Sequence, residues 1–99
     1  MNTFTREDKF GEAEYRIAYS DGEQRLLEFA VKVRGFTAIY EYRWTAEEKF
    51  PFMKVKDAIA AKIKKAGQEV TILNSRWVLN FIHLHIDKSE MVFYTGEKE

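Results

Sequence analysis

Polar and apolar positions alternate through much of the first half of the chain. Tyr15, Ile17 and Tyr19 alternate with Arg16, Ala18 and Ser20, a period of two that predicts a strand. Ser20-Asp21-Gly22-Glu23 supplies turn residues, and a second strand follows with Leu27, Phe29, Val31 and Val33 on one face. After Arg34-Gly35 comes a third, with Phe36, Ala38, Tyr40, Tyr42 and Trp44 on one side and Thr37, Ile39, Glu41, Arg43 and Thr45 on the other. A tight turn at Arg34-Gly35 pairs Val33 with Phe36, Val31 with Ala38, Phe29 with Tyr40 and Leu27 with Tyr42. A three-residue loop at 21–23 pairs Ile17 with Leu27 and Tyr15 with Phe29. Both registers superpose apolar faces, which a one-residue slip would invert.

The period changes after Pro51. Phe52, Val55, Ile59, Ile63 and Ala66 recur at helical spacing, Lys62, Lys64 and Lys65 crowd the last turn, and Gly67 suits a helix end. Beyond it, Val70–Leu73 and Arg76–Ile86 read as strands, the second apolar on both faces. Val78, Ile82, Leu84 and Ile86 fall on one side, and Trp77, Leu79, Phe81, His83 and His85 on the other. A turn at Lys88-Ser89 and a short strand Met91–Tyr94 close the chain, pairing Ile86 with Met91 and Leu84 with Phe93. The expected fold is one α+β domain over residues 1–99, an antiparallel sheet of hairpins in βββαβββ order packed on one amphipathic helix. Residues 1–10 and 96–99 are expected to be loosely ordered. A two-faced apolar strand needs cover on both sides. One helix covers one side, so the other must meet a curled sheet or a second chain.

Composition narrows the chemistry. The 99 residues are 45% hydrophobic and 32% charged, with eight Phe, five Tyr and two Trp. The absence of Cys excludes disulfides, thiol catalysis and cysteine-ligated metal sites. The first eight residues have no apolar stretch of the signal-peptide kind and no run is long enough to cross a membrane, so a cytoplasmic protein is the plain expectation. Net charge is zero, with the first fifty residues at −2 and the rest at +2. Dedicated nucleic-acid binders are usually strongly basic.

Three candidate surfaces follow. Tyr40, Tyr42, Trp44, Trp77 and Phe81 could anchor a protein partner or a second copy, since aromatics are favoured interface anchors. Lys54, Lys56, Lys62, Lys64 and Lys65, with Arg43 and the further strand cations Arg16, Lys32 and Arg34, could hold phosphates of a nucleotide or nucleic acid. His83 and His85, two apart on a strand, would share a face and could grip one metal ion, though two ligands are fewer than a site needs. No glycine-rich phosphate loop, serine elbow or zinc-helix motif is present, and Ser20, Ser75 and Ser89 all fall in expected turns. The leading expectation is a non-catalytic, homodimeric binding module without a cofactor that binds or inhibits another macromolecule. In size and style alone it is similar to inhibitors and accessory proteins of phages and mobile elements, such as anti-defence proteins. The alternatives are a nucleotide or nucleic-acid binder and a small metalloenzyme at the His-x-His pair.

Overall fold

The structure, a computed structural model, describes residues 2–86. Four strands, β1 (Thr3–Phe10), β2 (Ala13–Ser20), β3 (Gln24–Val33) and β4 (Phe36–Thr45), form an antiparallel meander in the order β1-β2-β3-β4. Two helices follow, α1 (Phe52–Lys65) and α2 (Ile72–His85). They cover one face of the sheet, α1 over β3 and β4 and α2 over β1 and β2. The α+β class stands, but over the described residues the order is ββββαα, where βββαβββ was expected for the whole chain.

The β3–β4 hairpin has the register its apolar faces predict, with Val33 opposite Phe36 and Leu27 opposite Tyr42. Its two-residue loop holds Arg34 at φ 51° and Gly35 at φ 83°. That left-handed pair matches the twist of the flanking strands. The β2–β3 register is displaced by two residues from expectation: Ile17 lies opposite Phe29, Tyr15 opposite Val31 and Tyr19 opposite Leu27. An even shift keeps every side chain on its face while bringing Tyr19 into contact range of the apolar row. The longer loop this requires is tied down by β1, since Asp21 accepts from the Asn2 N–H at 2.7 Å and donates its own N–H to the Asn2 carbonyl at 3.0 Å.

β1 replaces the loosely ordered start expected for residues 1–10. It is hard to see in the sequence because its inward positions read Phe4, Arg6, Asp8 and Phe10, two of them charged. Arg6 forms an ion pair with Asp8 at 3.6 Å and lays its guanidinium over the Trp77 ring at 5.3 Å, so the inward charge is accommodated at the rim.

The largest correction concerns residues 70–86. The expected strands Val70–Leu73 and Arg76–Ile86 are instead a lead-in and the helix α2. Its buried residues Asn74, Trp77, Val78, Phe81 and Ile82 recur at steps of three and one, a helical stripe. The same run reads as a two-faced strand because apolar residues also occupy the outward side. α2 starts with reciprocal capping: Asn74 N–H donates to Thr71 Oγ1 at 3.4 Å, and Thr71 N–H to Asn74 Oδ1 at 2.9 Å. The second cover that the greasy strand demanded is therefore not needed in that form. The turn at Lys88-Ser89, the Met91–Tyr94 strand and the tail at 96–99 lie outside the described residues.

α1 lies where its stripe predicts, with Phe52, Val55, Ile59 and Ile63 buried. It ends on Gly67 at φ 86°, with Gln68 N–H donating to the Ile63 carbonyl and Gly67 N–H to that of Lys64. This pair of bonds satisfies carbonyls that the helix end leaves open. The core between sheet and helices is largely aromatic: Trp44 packs at 4.8 Å from Phe50 and stacks on Tyr19 at 5.7 Å, while Tyr15 meets Trp77 at 5.8 Å.

Candidate functional site

Three of the five proposed anchor aromatics are interior. Trp44, Trp77 and Phe81 are buried among the sheet and α2, so they hold the core together and offer no surface. Tyr40 and Tyr42 are half-buried at the β4 end of the same layer, and burial raises the Tyr40 phenol above its ordinary pKa, helped by Tyr42.

The lysines do not converge. At 3.6 residues per turn, Lys56 and Lys62 flank the buried stripe of α1 on opposite sides, while Lys64 points away from it. Lys54 places its ammonium 5.7 Å over the Tyr42 ring, and Lys56 lies 3.8 Å from Asp57. Arg43 belongs to the outer face of the sheet, opposite the helices, and forms an ion pair with Glu41 at 3.8 Å. Arg16 and Arg34 pair with Glu7 and Glu12 at 3.5 and 2.7 Å. The Arg34 contact holds the Glu12 carboxyl below its ordinary pKa.

His83 and His85 part company because α2 is a helix. Two residues apart on a helix lie on different sides, so the shared face that a strand would give them is lost. His85 stacks on Phe4 at 4.4 Å and leans on Phe81 at 4.6 Å, and its burial there lowers its pKa. His83 faces outward into a shallow groove along α2. Among the described residues, no group of three His, Asp or Glu side chains is placed to hold a metal ion.

That groove is the feature the sequence reading missed. Ile72, Ser75, Arg76, Leu79, Asn80 and His83 line it. Ile72, Leu73 and Leu84 are 74, 67 and 72% exposed, large aliphatic side chains standing in water on one helix. From Val70 to Ile86 there is no carboxylate, and Arg76 is the one permanent charge. The outward side of α1, with Lys54, Asp57, Lys64 and Lys65, is by contrast ordinary solvated surface. The sequence signal was available in Thr71-x-x-Asn74 ahead of a three-and-four spacing, but β-favouring Trp, Val, Phe and Ile masked it.

α2 is held firmly enough to present this face. Asn74, buried, donates from Nδ2 to Tyr15 Oη at 3.2 Å and to the Glu69 carbonyl at 3.1 Å. Burial raises the Tyr15 phenol above its ordinary pKa, with the Asn74 bond acting the other way. Between the helices lies an apolar space of about 90 Å³, lined in part by Ile59, Ile63, Val70 and Val78. No helix of the described residues is long and apolar enough to cross a membrane. Comparison with known protein families, curated proteins and solved structures finds no match to the chain.

Proposed function

We propose that the protein is a non-catalytic binding module, a small homodimer, that docks on another protein through the outward face of α2. The exposure of Ile72, Leu73 and Leu84 on a helix nearly devoid of charge carries this reading. Single exposed aliphatics are ordinary on protein surfaces. Ile72 and Leu73 in the first turn and Leu84 in the last, with the half-buried Leu79 between them, make an extended apolar face of the kind that marks an interaction site. Full burial of each such side chain is worth roughly 1.5–3 kcal/mol. With Arg76 as its one permanent charge, the face has the charge-poor composition of an interface core.

The chemistry of the face also describes the partner. It is an apolar surface or amphipathic helix carrying a carboxylate that meets Arg76, since the face offers one guanidinium and no acid. Binding driven this way depends little on salt, whereas phosphate recognition by lysines would weaken steeply as salt rises.

The test is capture by tagged protein from an extract of the source cells, comparing wild type with Leu73→Glu/Leu84→Glu. Both positions are exposed, so the two substitutions together should change stability by no more than about 1 kcal/mol. A protein retained by wild type at high salt and lost by the variant supports the reading. Equal capture by both, or retention of nucleic acid alone, refutes it.

A further inference from the structure

The two edges of the sheet are built differently. β1 carries Arg6, Glu7, Asp8 and Lys9, and Arg6 and Asp8 sit on its inward face. Inward charges on an edge strand resist pairing with another chain. β4 has no such guard. Its inward positions are Phe36, Ala38, Tyr40, Tyr42 and Trp44, and its charges, Glu41 and Arg43, lie on the outer face. Phe36 is 45% exposed and Ile39 57% exposed.

The hairpin geometry determines which backbone groups of β4 face the open side. In a two-residue loop the flanking residues, here Val33 and Phe36, form the bonded pair, so even-numbered residues of β4 bond to β3. Odd-numbered residues then aim their N–H and C=O groups away from the sheet. Thr45 conforms: its N–H donates to Glu48 Oε1 at 3.0 Å and its carbonyl accepts from the Glu48 N–H at 3.1 Å. Glu48 thereby closes the end of the edge. Among the described residues, Thr37, Ile39, Glu41 and Arg43 remain open, placed evenly about Tyr40.

We propose that this edge takes a second copy of the chain, β4 pairing antiparallel with its copy across a two-fold axis at Tyr40. The inference rests on the homodimeric part of the reading above and gives it a surface separate from α2. In this register Thr37 lies opposite Arg43 of the partner subunit and Ile39 opposite Glu41 of the partner subunit. Each of the four edge residues exchanges its N–H and C=O bonds with a matching residue, and the two sheets become one. On the inward side the half-buried Tyr40 meets its own copy, removing exposed ring surface from water. Two features favour a second copy over an unrelated strand. Among the described residues the open run ends at Thr45, so a two-fold copy matches it end to end and sets the apolar inward row of β4 beside the same row of its partner, as an isologous interface requires. The zero net charge leaves no long-range repulsion between copies.

Sedimentation velocity on the full chain across a range of concentrations tests the register by charge. Wild type should dimerise. Ile39→Glu sets a carboxylate against Glu41 of the partner subunit on both sides of the axis and should raise the dimer dissociation constant at least tenfold. Ile39→Lys, an equal intrusion of opposite sign, should leave the dimer intact, and Ile39→Glu/Glu41→Lys should restore it. Leu73→Glu/Leu84→Glu should keep the dimer while losing the α2 partner, which separates the two proposals. A monomeric wild type, a dimer indifferent to Ile39→Glu, or one lost with the α2 variant overturns the inference. So does a double variant that fails to restore the dimer, or a wild type found monomeric and binding an added strand peptide.

Discussion

Asn74 ties α2 to the rest of the molecule through four hydrogen bonds, two to Thr71 and one each to Tyr15 and Glu69. Asn74→Ala removes the cap partner and leaves the Glu69 carbonyl without its donor, and should cost about 2–3 kcal/mol in urea unfolding. A cost below about 0.5 kcal/mol, the range of a plain surface change, would mean that α2 is anchored by its apolar stripe alone. His85 makes a second prediction at this scale. Its folded pKa is lowered by burial against Phe4 and Phe81, so the unfolded chain binds the proton more readily. The stability this contributes is present above the unfolded value of about 6.5 and is lost as pH falls through the lowered folded value. Comparing urea midpoints at pH 7.5 and 5.5, wild type should lose more stability than His85→Phe on acidification; an equal loss would show that His85 titrates without strain.

At the level of elements, β2, β3, β4 and α1 are legible in the sequence because each carries a single unambiguous period. β1 is not, since Arg6 and Asp8 occupy positions where an apolar residue would announce a strand. α2 is not, since an apolar inner stripe plus an apolar outer face erases the difference between a period of two and one of 3.6. The lost distinction bears on function: the residues that hid the helix, Ile72, Leu73, Leu79 and Leu84, form the candidate docking face, whereas the aromatics the sequence nominated, Trp44, Trp77 and Phe81, are core. The helix and strand readings differ sharply at one pair. On a strand Ile82 and Leu84 share a face and would cost alike; on α2 Ile82 is buried and Leu84 exposed. Ile82→Ala should therefore cost about 2–5 kcal/mol, and Leu84→Ala less than about 0.5 kcal/mol, by chemical denaturation. Similar costs would contradict the helix.

Across the described residues, one layer of helices on one face of a meander leaves the outward side of α2 and the β4 edge as the two surfaces proposed for binding. They lie on different elements, so a dimer joined through β4 would display two copies of the α2 face and bind a paired or repeated partner with added avidity. Neither surface gathers charge, and the cations of α1 are dispersed, so both associations should persist as salt is raised from about 0.1 to 1 M, a range over which exposed charges are screened to within a few ångströms. Loss of partner binding over that range would favour the lysines instead. The most direct measurement is photo-crosslinking from single positions in source-cell extract, with the photoreactive residue placed at Asn80 on the outward face of α2 or at Lys64 on the outward face of α1. The account predicts one discrete protein adduct from Asn80 and none from Lys64. The same adducts from both positions, or nucleic acid joined at Lys64 alone, would contradict it.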